Sequence, residues 1–262
     1  MADADALLRD GDVAGARAAL VDIVRARPAD QQARMFLFQL FAVLGEWDKA
    51  RTQLQALSQL SPEAQMLGVT YNQAIEAEKL RAAIFAGAQP MPLLLGDGGW
   101  AQGLAHSITL LARGEEAEAD AAREAAFDSA PDTPGTINGQ SFEWIGDADA
   151  RFGPSFEAIL GGRYGLIAFD QIAAITSEGP RDLRDTVWYP VEIAFRNGQS
   201  AAAFLPARYP GSEAASEAAE QLGRATGWAE CEWGQQGSGQ HVWTLSDGED
   251  VGLLALRKLS FS

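Results

Sequence analysis

One frame recurs in the first half of the chain and constrains its fold more than any other feature: a Gly, four residues, an Ala, eleven residues, a Pro. It occurs at Gly11, Ala16 and Pro28, at Gly45, Ala50 and Pro62, and at Gly114, Ala119 and Pro131. The first two copies lie 34 residues apart and the third follows after 69, about two such periods. A period of this length is that of stacked helical hairpins. Gly supplies the tight turn between two helices, Ala lets the pair approach closely, and Pro stops the second helix.

The periodicity resembles the tetratricopeptide repeat, and the second copy matches best. Leu37 and Phe41 fall where the first helix carries large apolar residues, while Gly45, Trp47, Ala50 and Leu54 supply the turn and the packing residues of the second. Phe38 stands where that repeat has a small residue, which predicts looser or differently angled packing there. The first unit has ten residues before Gly11, too few for most of a leading helix. Between the second and third units the pattern predicts one long helix over 62–85, then the loop "AGAQPMPLLLGDGGW", which breaks the array. Residues 1–131 therefore read as a short, irregular all-α, TPR-like domain whose concave face suits an extended or helical peptide. Within that loop "LLLGDGGWA" mimics a dinucleotide-binding G-x-G-x-x-A, but Pro90 and Pro92 crowd a run too short for a central strand, so the fingerprint is rejected.

From Pro134-Gly135 onward apolar residues alternate. Strands are expected over 163–169, 171–177 and 186–195, followed by an Asn197-Gly198 type I′ hairpin into 199–206. Pro210-Gly211 suits a type II turn, with Ser212 as the N-cap of a helix running toward Gly223–Gly227, and a closing hairpin pairs 241–246 with 251–259 around Asp247-Gly248. The expected fold class is α+β: the helical domain, then at 132–262 a small, mostly antiparallel β-domain curled toward a barrel, with one or two helices.

With 36 acidic against 20 basic residues and a net charge of −16, the chain gains nothing from releasing counterions off a phosphate backbone. Nucleic acid and anionic membranes are not expected partners. The acidic N-terminus lacks the marks of a signal peptide and no run of about 18 apolar residues occurs, so a cytoplasmic protein is expected. A single cysteine, Cys231, forms no internal disulfide, and two histidines, His106 and His241, do not make a His-rich metal site; no metal or cofactor is expected.

The stretch "FEWIGDADARFGP" sets Asp147, Asp149 and Arg151 beside Trp144. As an enzyme, Asp147 and Asp149, joined by Glu157, would serve as acid and base or as ligands of a hard cation, but D-x-D without the rest of a calcium loop is a turn motif and no nucleophile is evident. As structure, the aspartates would cap a short helix over "SFEAIL" and pair with arginines from elsewhere such as Arg184 or Arg208, and planar guanidinium groups would stack on Trp144, Trp188 or Tyr209. The structural reading gives a polar, aromatic-lined seam, internal between the two domains or facing a partner, with Asp185 of "LRD" beside Arg184.

Three ordered segments, "PDTPGTINGQSFEWIGDADARFGPSFEAILGGRYG", "PRDLRDTVWYP" and "LPARYPGSE", resemble the ImpE/SciE family, also called TagJ. These are accessory proteins of the bacterial type VI secretion system, and the likeness extends to the helical "FLFQLFAVLGEWDKA". The chain departs where the family reads G-x-Y-x-W-x-P-F: "GRYGLIAF" carries Gly165 and Ile167 for bulkier residues and Ala168 for Pro. The resemblance implies a non-catalytic cytoplasmic adaptor that binds the N-terminal helix of the small sheath subunit. It further implies tuning of sheath assembly, or of recycling by an unfoldase ATPase.

Overall fold

The computed structural model describes residues 2–96 and 98–262. Among the described residues seven helices come first: α1 (Ala2–Arg9), α2 (Val13–Ala26), α3 (Gln31–Val43), α4 (Trp47–Ser58), α5 (Pro62–Phe85), α6 (Trp100–Ala112) and α7 (Glu116–Ser129). They form as the recurring frame demands. Gly11, Gly45 and Gly114 all take positive φ between the two helices of a pair, and Ala16, Ala50 and Ala119 are buried where the pairs touch. The prolines divide their labour. Pro28 and Pro131 follow helix ends, whereas Pro62 opens α5, whose N-cap Ser61 accepts from the Ala64 N–H.

Thirteen strands follow: β1 (Gly135–Ile137), β2 (Gln140–Phe142), β3 (Ile145–Asp147), β4 (Ser155–Leu160), β5 (Arg163–Ala168), β6 (Ile172–Thr176), β7 (Trp188–Phe195), β8 (Ser200–Pro206), β9 (Thr226–Cys231), β10 (Gly234–Gly239), β11 (Val242–Leu245), β12 (Asp250–Gly252) and β13 (Lys258–Phe261). The expected barrel does not form. Eight strands make an open sheet in the order β2-β1-β13-β6-β7-β8-β4-β5, accompanied by a β12-β11-β3 sheet and a β9-β10 hairpin, and β2 and β5 remain apart at opposite edges. The physical reason lies at β5: its free edge is taken by the loop after α5, where Leu94 N donates to Leu166 O and Leu166 N to Pro92 O, both at 2.9 Å. Gly165 permits that approach, since a Cβ there would sit 2.6 Å from Pro92 O. The family departure in this strand thus meets the chain's own loop. Asp97, inside the rejected dinucleotide-like stretch, lies outside the described residues; nearby, Leu93 makes one isolated bridge and no strand.

Several local expectations need correction. "SFEAIL" is strand β4, because Phe156 and Ala158 bury on one face and Glu157 and Ile159 on the other. The Ala-rich 208–228 segment has no large apolar stripe to bury and makes only a 3-10 turn (Ser212–Ala214) and the four-residue α8 (Ala218–Gln221) before Gly223 and β9. Asn197-Gly198 is not type I′: only Gly198 has positive φ, and Phe195 N donates to Gln199 O around a three-residue loop. Both residues take positive φ instead in Asn138-Gly139, at 50° and 92°, linking β1 to β2, and in Gly161-Gly162, at 58° and 76°, linking β4 to β5.

Alternation in the strands builds two cores. Tyr189, Val191 and Ile193 of β7 pack with Phe156, Phe169 and Trp243 on one face of the sheet. Trp188 points the other way, into the helices, with its ring 5.4 Å from Tyr71, 5.8 Å from Trp47 and 6.4 Å from Phe38. Phe38 is therefore not loosely packed; its bulk reaches across to β7 and α5 and is fully buried.

Candidate functional site

The helix-facing side of the sheet carries a charge cluster rooted in α5. That helix buries Tyr71, Ala74, Ile75, Glu78, Arg81 and Ile84 along one stripe, so two of its charges enter the interior by helical periodicity alone. Arg81 donates to both oxygens of Glu157 on β4, Nε to Oε1 and Nη2 to Oε2, each at 2.7 Å, and Nη2 also donates to Arg208 O at 2.8 Å. Such a bidentate pair is the strong form of a buried ionic contact. Tyr164 O–H donates to the same carboxylate. Glu78 accepts from the Trp188 indole N–H at 3.1 Å.

His241 joins this group to Asp147. Its Nδ1 lies 2.7 Å from Asp147 Oδ2 and its Nε2 2.9 Å from Glu157 Oε2. Burial alone would lower its pKa, but the Asp147 charge and the hydrogen bonds to both carboxylates outweigh burial and raise it to about 9. An imidazolium here balances the cluster, with Glu78, Asp147, Asp149 and Glu157 against Arg81, Arg151, Arg208 and His241. Tyr209 O–H donates to Asp147 Oδ1 at 2.8 Å, and burial raises its own pKa. Glu157 goes the other way: burial would raise it, and Arg81 holds it below the usual carboxylate range.

The sequence-selected residues do not all meet in one cluster. Asp149 is fully buried and held by Arg151 through Nε at 2.9 Å and Nη2 at 2.6 Å, with Gly237 N donating at 2.8 Å. Asp147 holds His241 and Tyr209, so neither aspartate pairs with Arg184 or Arg208 as expected. Arg208 instead donates to the carbonyls of Val43 and Gln221, and burial lowers its pKa to about 10. Arg184 bonds Asp182 at 2.8 Å and lies over Tyr71 at 4.9 Å, while Asp185 accepts from Arg181 N and Asp182 N in a capping box. The cation–π contacts of Arg151 go to Phe85 and Phe152, not to tryptophans. Trp144 stands apart from the cluster, 44% exposed. In the helices, Ala50 and Leu54 are fully buried, Gly45 turns the chain and Trp47 packs on Trp188.

Glu78 and Arg81 escaped the sequence reading, although two charges on the apolar stripe of a long helix are a legible signal. For Asp147 and Asp149 as acid and base, both carboxylates are spent on protein donors. Among the described residues no group of three or more His, Cys, Asp and Glu side chains is disposed to hold a metal, and no helix is long and apolar enough to cross a membrane. Beside the cluster opens a cavity of about 540 Å³ between α5, α6 and the loops after β8 and β9, with Glu78, Arg81 and Arg151 in its lining.

Comparison with known proteins gives the same architecture. The family described as "Tetratricopeptide repeat" matches residues 7–69, and that described as "ImpE protein" matches residues 139–260. The crystal structure of protein VPA1032 from Vibrio parahaemolyticus superposes with a TM-score of 0.87 at 21% identity, covering 99% of this chain and 97% of that one, a likeness of fold. The type VI secretion system accessory component TagJ of Pseudomonas aeruginosa is 40% identical over 98% of this chain and 90% of its own length. On that near-complete alignment, joined to the C-terminal match, the chain belongs to the ImpE/TagJ family.

Proposed function

We propose that this protein is a non-catalytic adaptor of a type VI secretion system that binds the N-terminal helix of the small sheath subunit and tunes sheath assembly or its recycling by an unfoldase ATPase. The 40% identity to an accessory component of that system, along nearly the whole chain, carries the reading. Three features support it. The helical stack is of the peptide-accepting kind. On α5 the side chains of Met66 and Val69, 78% and 63% exposed, stand one turn apart without partners among the described residues, beside a cleft of about 240 Å³ against Phe204. The net charge of −16 favours a basic ligand.

In this proposal the buried charges of Asp147, Asp149 and Arg151 serve the internal seam between a helical unit (1–131) and a β-rich unit (132–262), and the partner uses the exposed surface. A fluorescent peptide from the sheath subunit's N-terminus, titrated against the folded protein, should bind with micromolar or better affinity. M66E/V69E should weaken it at least about tenfold while leaving Tm unchanged. Absence of binding at high micromolar concentration refutes the sheath reading.

A further inference from the structure

The cavity beside the charge cluster has a chemistry that the adaptor role leaves unused. Glu78 is 6% exposed, yet only Oε1 accepts a hydrogen bond; Oε2 accepts none among the described residues, and its nearest cation, Arg81 Nη1, is 3.6 Å away. The carboxylate lines the cavity. The two arginines that share the lining bring little field of their own, because Arg81 is committed to Glu157 and Arg151 to Asp149, each through a two-point fork. Arg81 and Arg208 offset the Glu78 charge within the cluster, so the excess negative charge of the lining comes from Glu116 and Glu213. Part of the wall is apolar and aromatic, made by Trp47, Phe85, Ile108 and Leu111.

From this buried carboxylate, one oxygen of which accepts no hydrogen bond, in a cavity with two further glutamates and an apolar stretch of wall, we infer a binding site for an organic monocation on an aliphatic stem, an alkylguanidinium or alkylammonium group. The head donates to Glu78 Oε2 and the stem lies against Phe85 and Leu111. Burial, which pushes the Glu78 pKa upward, is opposed by the arriving charge. The volume of about 540 Å³ falls within the range of small-molecule sites and leaves room beyond one such group. Two sources present this chemistry, a free amine and a lysine or arginine side chain of a protein, and the site does not depend on the sheath reading.

The test follows the Trp188 indole N–H, which reports on Glu78 directly, in NMR spectra of the full chain. n-Butylguanidinium should shift it saturably in the millimolar range, while the neutral isostere n-butylurea leaves it in place. E78Q should weaken the response about tenfold, and E116Q, at an exposed position, about twofold without touching the fold. Equal shifts from both compounds, no shift from either, or an unchanged affinity in both variants overturns the inference. An arginine-containing peptide that binds at least tenfold more tightly than butylguanidinium, and loses this on Arg-to-Gln replacement, assigns the site to a protein side chain; equal affinity assigns it to free amines. Because no sheath peptide is used, failure here leaves the adaptor reading standing, and the reverse also holds.

Discussion

Replacing Arg81 by Met tests whether the buried charge cluster joins the helices to the sheet. The side chain keeps its stem but removes two 2.7 Å bonds to Glu157 and one of 2.8 Å to Arg208 O. What remains is a buried carboxylate whose balancing guanidinium is gone. Breaking one side of a buried ion pair costs about 3–5 kcal/mol, because the orphaned charge, not the lost attraction, dominates. For a chain of this length that corresponds to a fall in Tm of roughly 10 °C. The double variant R81M/E157M removes the orphan as well and should recover most of the loss, leaving His241 to Asp147 alone. Urea unfolding followed by far-UV circular dichroism and tryptophan fluorescence measures all four corners of the cycle, with Trp188 reporting from the same core. A single-variant loss below about 1 kcal/mol, or a double variant at least as unstable as the sum of the singles, would show that the pair is solvated and the reasoning wrong.

Further outcomes follow from the same contacts. Between pH 6.5 and 9 the protein should lose up to about 3 kcal/mol, since a histidine raised to about 9 stabilises the fold fully below its free value and gives that up as pH rises through the folded one; a flat profile in equilibrium unfolding contradicts it. Glu157, held low by Arg81 against burial, acts with the opposite sign, so stability should also fall as pH drops below the ordinary carboxylate range, and R81M should flatten that limb. W188F keeps an aromatic ring among Phe38, Trp47 and Tyr71 but leaves Glu78 without its donor, for a cost of about 1–3 kcal/mol that W188F/E78Q should partly return. G165V forces a Cβ against Pro92 O and should cost about 1–3 kcal/mol, with hydrogen exchange speeding up at Leu94 and Leu166; protection unchanged there would mean the loop does not close that edge.

The sequence by itself determined the helical hairpins, the extent of α5 and the strand character of 163–168 and 188–195, because each rests on interactions a few residues apart: a glycine with positive φ, a small alanine at a crossing, an apolar period of 3.6 or 2. It failed where local preference and long-range burial disagree. An Ala-rich stretch without a large apolar face became a single turn of helix, and "SFEAIL" became a strand because both of its faces find partners. The openness of the sheet and the partners of Asp147 and Arg208 were decided only by tertiary structure, whereas Asp149 with Arg151 and Asp182 with Arg184 pair two residues apart. Arg81 meets Glu157 across 76 residues and His241 meets Asp147 across 94, distances over which residue type fixes the need for a counter-charge but not its identity.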